Sequence, residues 1–373
     1  MGKEGNLREI ALLFLKLGAI AFGGPAAHIS MMEDEVVRKK KWLSHEHFLD
    51  LVGATNLIPG PNSTEMAMHC GYERAGWRGL VVAGISFILP AVLITLIFSW
   101  LYYKYGHLSM VQPFIYGIKP AVIAIILSAV FSLGKKAFKS TELGILGLLT
   151  LIACLSGINE IAALFGCGAL GIVFFFLSKG QSIRSLSPLL AFGVPELEAM
   201  DFKIFWIFLK IGSVLYGSGY VLFAFLDAEL VAEGLLARQQ LIDAIAIGQF
   251  TPGPVLSTAT FIGWQMSGLY GALLATLGIF LPSFVFVLLL NPLISRLRKS
   301  KALSAFLDAV NIASVAMILA VCIEMGKDSL TDWKTALISV FSFAIIFVFR
   351  KLNSIFIISG AAVLGYILWL FKF

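Results

Sequence analysis

Charge is scarce in this chain. Asp, Glu, Lys and Arg make up 13% of its 373 residues, about half of the ~25% found in a soluble domain. Cysteine is sparse as well. Cys70, Cys154, Cys167 and Cys322 all lie in apolar segments with no CxxC spacing, so they read as packing residues, with no thiolate metal site or disulfide framework. The only clustered histidines, "HEH" at 45–47, are not HExxH and do not place two metal ligands one helical turn apart. No GxxxxGK[ST] loop occurs, so this chain is not expected to hydrolyse ATP. No small-residue cleavage site follows the first apolar run, so no removable signal peptide is expected. Alternating ~10-residue segments, the mark of a membrane β-barrel, are missing. No metal or cofactor is expected. The net charge of +6 is spread over short loops, which fits the Lys/Arg bias of cytoplasmic loops better than a nucleic-acid-binding face.

Apolar residues are what the chain has in plenty, at 59%. Runs at 80–103, 111–133, 143–177, 269–290, 302–325 and 355–370 approach or exceed the ~20 residues that span a bilayer. The chain reads as an all-α polytopic membrane protein.

It also reads as a duplication. "FLKLGAIAFGGP" (14–25) matches "FLKIGSVLYGSG" (208–219), "IPGP" (58–61) matches "TPGP" (251–254), "GYERAGWRG" (71–79) matches "GWQMSGLYG" (263–271), and Pro90 matches Pro282. Polar positions follow the same register: Lys16 with Lys210, Glu33 with Asp227, Glu35 with Glu229, Asp50 with Asp243, Asn56 with Gln249. The expected organisation is a first repeat at 1–178, a linker at 179–203 and a second repeat at 204–373. In each repeat a helix runs to a glycine break and continues as a more polar helix. A segment broken at Pro-Gly-Pro comes next, then four apolar spans.

Loop charge sets the relative orientation. "RKKK" (38–41) and "KKAFK" (135–139) are basic and their counterparts are not, whereas "RLRKSK" (296–301) outweighs the loop near Lys104. The reversal predicts two inverted-topology repeats, with Lys39 and Lys299 both cytoplasmic. "RAGWR" at 74–78 is basic too, so the Pro-Gly-Pro segment enters and leaves on one side as a re-entrant hairpin. Each half then has about five crossings plus the hairpin, and the chain starts outside.

Irregular backbone at membrane depth survives only inside protein or along an aqueous cavity, and inverted repeats with broken helices are a transporter plan. Breaking a helix at Pro-Gly-Pro creates a fresh N-terminus that carries roughly half a positive charge and several open N–H donors. The expected anion site is therefore Asn56, Gly60, Asn62, Ser63 and Thr64 in the first half. Its second-half members are Gln249, Gly253, Val255, Leu256 and Ser257. The glycine breaks, Gly23 and Gly24 with Gly217, Ser218 and Gly219, complete it. Lys16 and Lys210 are read as one pathway cation in each vestibule, and Asp50 and Asp243 as coupling groups. Plainer readings stand beside these: Pro-Gly-Pro as a tight turn, the glycines as close helix packing, the lysines as snorkelling side chains.

At "FGGPAAHI", "WLSHEHFLDLVGATNLIPGPNS" and "GYERAGWRGLVVAGISFILP", with looser echoes "YGSGY", "QLIDAIAIGQFTPGPV" and "GLYGALLATLGIFLP", the chain resembles the chromate ion transporter family over nearly its whole length. The resemblance implies a two-domain protein of the cell membrane that moves chromate outward and recognises sulfate. Its partners would be the oxyanion, the lipid bilayer and, as an assembly to consider, a second copy in a homodimer. A passive anion channel with the same repeats is the alternative; an intramembrane enzyme is a more distant one, since no paired catalytic groups stand at a convincing spacing.

Overall fold

The computed structural model describes residues 6–22, 24–106, 108–179, 200–290, 300–349 and 352–370. Among them every regular element is helical. The first half contains α1 (Leu7–Ile20), α2 (Pro25–Glu33, prolonged by a π-helical stretch Asp34–Lys39), α3 (His45–Thr55), α4 (Asn62–Tyr105), α5 (Gln112–Ala137), α6 (Thr141–Leu155) and α7 (Glu160–Lys179). The second half repeats the series as α8 (Met200–Val214), α9 (Val221–Leu226, prolonged as π-helix Asp227–Val231), α10 (Arg238–Phe250), α11 (Thr258–Leu290), α12 (Lys301–Ser329), α13 (Trp333–Val348) and α14 (Ser354–Leu370). The linker expected at 179–203 lies mostly outside the described residues.

Local chemistry sets these boundaries. Asn6, Ser44, Ser140, Ser300 and Asp332 each cap a helix by accepting a backbone N–H from its first turn, which satisfies donors that have no partner inside the helix. Two long helices are bent back at glycine. Gly76 (φ 60°, ψ −150°) breaks α4 and Gly268 (φ 59°, ψ −147°) breaks α11, a conformation that only glycine adopts without strain. The limbs on either side then run back along each other. A β-carbon on Gly71 would strike the Gly79 carbonyl, and one on Gly263 the Gly271 carbonyl. The small residues of the repeated G-x7-G spacing thus let two helical backbones touch.

The 62–74 limb of α4 therefore pairs with α3 as a re-entrant hairpin with Pro-Gly-Pro at its tip, as the loop charge predicted. Its open ends meet: His47 lies 3.3 Å from Glu73, and Glu9 bridges both Lys40 (2.8 Å) and Arg74 (3.6 Å). The 77–105 limb, about 43 Å long at 1.5 Å per residue, leaves this basic face and crosses to the opposite one. Four helices, α4, α5, the 255–290 segment and α12, are long and apolar enough to cross a membrane; α6, α7, α13 and α14 are shorter apolar helices. This is a multi-pass membrane protein.

The second half enters from the other side. Arg238, at the start of α10, contacts Asp227 (3.0 Å) and Asp328 (3.4 Å). Tyr102, near the far end of α4, donates a 2.6 Å hydrogen bond to Asp243. The repeats are thus inverted.

One part of the expected path is corrected. α1 and α2 do not form one continued passage. Gly18 and His28 both pack on Phe87, Lys16 pairs with Glu35, and Glu9 with Lys40, so α2 runs back along α1. α1 consequently starts on the basic face beside "RKKK", not across the membrane from it. A glycine-proline break permits either a kink or a reversal, and the ion pairs select the reversal.

Lys299 lies outside the described residues, but Lys301 opens α12 close by. Single cysteines at Lys39 and Lys301 are expected to react with an impermeant thiol reagent from the same side of the membrane. Reaction from opposite sides would overturn the inverted arrangement.

Candidate functional site

The two Pro-Gly-Pro tips are each locked into the other half. Gly60 N–H donates to the Leu215 carbonyl at 2.7 Å, and Gly253 N–H to the Ala21 carbonyl at 2.8 Å. Leu215 and Ala21 are repeat counterparts at the ends of α8 and α1. The same exchange relates the packing: Gly60 sits against Ser283 of α11, and Gly253 against Ala91 of α4, its repeat mate. A pseudo-two-fold axis therefore passes between the tips. Because the hairpins enter from opposite faces, that axis lies in the plane of the membrane, the arrangement of inverted-repeat transporters.

The helix ends at the tips are partly open. Thr64 N–H returns to the Pro61 carbonyl (2.8 Å) and Ser257 N–H to the Pro254 carbonyl (3.0 Å), so these two of the expected backbone donors are consumed by the first helical turn. The N–H groups of Asn62, Ser63, Val255 and Leu256 have no acceptor among the described residues. Around them lie buried side-chain atoms that also have none: Thr64 Oγ1, Ser257 Oγ, Gln249 Nε2, Ser283 Oγ and both carboxylate oxygens of Glu65. Buried polar atoms are satisfied in the great majority of native sites. Glu65 and Ser283 come together beside Gly60, and unpaired polar atoms of this kind are what a polar ligand or ordered water would complete. Asn56 instead closes its own tip, donating to the Val52 carbonyl and accepting from Asn62 Nδ2 at 2.9 Å.

A cavity of about 490 Å³ leads from the basic face to this region. Lys136, Lys139, Ser300 and Ser304 line its outer part, and Asn56, Gly217, Ser218 and Asn311 its inner part. One tip and the opposite repeat's break thus share a wall. Gly217 (φ 91°) needs its missing side chain, since a β-carbon would come within 3.2 Å of Asn311 and Ser314. Gly219 faces Leu256 and Val255 of its own tip. Gly24 has open space around its Cα, so packing does not explain it; Gly23 lies outside the described residues. On the opposite face a smaller cavity, about 270 Å³, is lined by Glu160, Asp227, Arg238 and Glu324.

Each of the two lysines is paired. Lys16 is bound to Glu35 at 2.9 Å and Lys210 to Glu229 at 2.6 Å, so the same ion pair recurs in both repeats. The Lys16 hydrogen bond holds the Glu35 carboxyl below its ordinary range. The sequence register had aligned all four residues without joining them, because the return of α2 along α1 was not legible.

Asp50 and Asp243 are matched in sequence and opposite in setting. Asp50 is exposed. Asp243 is buried, held by Tyr102 (2.6 Å) and by Lys119 at 3.5 Å. Sequence reasoning missed Lys119, although a lysine inside the apolar run 111–133 is itself a signal. It also missed Glu65 and Ser283, although one directly follows "PNST" and the other directly follows the repeat-matched Pro282.

Comparisons with known proteins agree with this architecture. The family model described as chromate transporter matches the chain twice, at 8–172 and 202–366. A chromate transport protein of Cupriavidus metallidurans is 32% identical over 372 residues, covering 96% of this chain and 92% of that protein. A probable chromate transport protein of Synechococcus elongatus is 29% identical, covering 98% and 96%. A chromate transport protein of Pseudomonas aeruginosa is 28% identical, covering 95% and 91%. No solved structure matches the chain.

Proposed function

The chain belongs to the chromate transporter family, and from that premise we propose that it is a secondary transporter exporting a tetrahedral oxyanion, chromate or the isosteric sulfate, by alternating access. The observation that carries the reading is the one-sided cavity. It opens from the basic face and reaches Asn56 beside one Pro-Gly-Pro tip and Gly217 and Ser218 of the opposite break, while Tyr102, Asp243 and Lys119 close the matching hairpin on the other side. Lys and Arg concentrate on cytoplasmic loops, so the basic face is cytoplasmic, the membrane is the plasma membrane, and the cavity faces the cell interior.

In this scheme the dianion enters past Lys136 and Lys139. It is bound by the open N–H groups of Asn62, Ser63, Val255 and Leu256, with the Thr64 and Ser257 hydroxyls and the Gln249 amide. Two helix ends supply about one unit of positive charge. Backbone donors arranged for a tetrahedral dianion discriminate poorly between sulfate and chromate. The two anions share charge and shape, so competition between them is part of the reading. An inside-negative potential favours exit by about 2.3 kcal/mol per charge for each 100 mV, so export needs no nucleotide.

Radiolabelled sulfate and chromate flux in proteoliposomes tests this. Saturable flux is expected, with unlabelled anion on one side accelerating labelled anion from the other, and with each anion inhibiting the other. Flux that does not saturate and shows no such exchange would mean a passive channel.

A further inference from the structure

We propose that Glu65 is the site of a proton that travels with the oxyanion, one per transport cycle. The inference rests on the transport reading above and adds the coupling ion and the group that carries it.

Glu65 lies in the first turn of α4, four residues after Pro61, and is 0% exposed. Neither carboxylate oxygen has a hydrogen-bond partner among the described residues. The Ser283 hydroxyl stands beside it, both against Gly60.

No cation among the described residues offsets it. On α1, Lys16 is committed to Glu35; on α2, the nearest titratable group is His28, packed on Phe87; on α3, Asp50 is exposed. On α10, Asp243 is held by Lys119 and Tyr102. The 255–290 segment carries no acidic or basic side chain, and on α4 itself His69 stands one turn further on, also buried.

An ionised carboxylate sealed in protein without a counter-charge costs several kcal/mol, and such a group neutralises instead. Glu65 is therefore a neutral acid in this cavity-open state, before the anion arrives. It stands beside the open N–H groups that receive a dianion. Two negative groups at this depth repel each other, so the anion is accepted only while Glu65 keeps its proton, and the protonated carboxyl adds a hydrogen-bond donor to the site. When the cavity hydrates on the far side and the anion leaves, the carboxyl ionises, releases its proton to water there and takes up N–H donors that the anion has vacated, so the empty carrier returns without the proton.

The repeat explains the stoichiometry. The counterpart of Glu65 is Thr258, whose hydroxyl donates to the Val255 carbonyl of its own helix at 2.8 Å. Only one of the two tips carries an acid. A dianion moving with one proton still transfers one net negative charge, so a negative interior still drives it outward.

The test uses the full-length protein in proteoliposomes with a trapped pH dye and a clamped potential. A sulfate gradient is expected to move protons in the direction of sulfate in the wild type. With one linked proton, apparent sulfate affinity should fall about tenfold per pH unit above the midpoint. Glu65→Gln should move no protons and lose the pH slope, Glu65→Asp should keep the slope, and Ser283→Ala should shift its midpoint. Proton movement that persists in Glu65→Gln overturns the assignment, as does wild-type sulfate flux without proton movement. The complete absence of sulfate and chromate flux in the wild type overturns the transport reading and this assignment with it.

Discussion

Gly60→Val and Gly253→Val are each expected to abolish oxyanion flux, the largest loss for any change of similar size in the chain. Both glycines have positive φ, 144° at Gly60 and 88° at Gly253. Such a conformation costs a branched residue of the order of 1–3 kcal/mol. At Gly60 a side chain would also run into the Glu65 carboxylate and the Ser283 hydroxyl. At Gly253 it would meet Ala91 at 3.0 Å and the Gly18 carbonyl at 3.2 Å. The cost is not only local, because each glycine N–H is the bond that ties its tip to the opposite repeat. Displacing it opens the Leu215 or Ala21 carbonyl at membrane depth, where an unpaired backbone group is expensive. Thr64→Ala is the control: it removes one hydroxyl while the adjacent N–H donors remain. A hydrogen bond to a charged group is worth about 1.5–3 kcal/mol, so this variant should lose up to roughly 100-fold in affinity and keep measurable flux. Wild-type flux in either valine variant, at equal protein in the membrane, would reduce the tips to structural turns.

Asp243→Ala should destabilise the protein far more than Asp50→Ala, although the two positions are matched in the repeat. Removing the Asp243 carboxylate leaves Lys119, whose side chain is only 16% exposed, as an uncompensated cation, and takes the acceptor from Tyr102. Breaking one partner of a buried pair costs about 3–5 kcal/mol. Asp50 is exposed, and surface changes stay within about ±0.5 kcal/mol. The double variant Lys119→Met with Asp243→Leu should recover most of the lost thermal stability, since a well-packed apolar pair can replace a buried ionic one. Its flux should not recover, because a permanently closed apolar contact removes the polar gate that must open toward the opposite face. Equal destabilisation by Asp50→Ala and Asp243→Ala would show that the two sides do not differ as described.

The contrast between these aspartates marks the limit of what a repeat can tell. Sequence register placed Asp50 opposite Asp243 and Lys16 opposite Lys210, and both alignments hold in space. Register relates a residue to its copy, however, and not to its neighbours. The partners of Asp243 come from α4 and α5 of the other half, at Tyr102 and Lys119, more than a hundred residues away in the chain. Those of Lys16 and Lys210 come from helices that return only because the chain reverses at the glycine break.

By itself the sequence determined the class of solvent, the helical content, the duplication, the inversion and the tips. These follow from local or additive properties: the length of apolar runs against bilayer thickness, the sign of loop charge, and the inability of Pro-Gly-Pro to continue a helix. The tertiary structure alone decided that α1 and α2 fold back, that each tip is bonded to the opposite repeat's break, and that Lys16 and Lys210 are already paired. It also brought Glu65 into a sealed site with no counter-charge. Each of these depends on which distant groups come within about 3 Å of one another. In an apolar interior that proximity determines whether a charge is neutralised, paired with a counter-ion or available to a ligand.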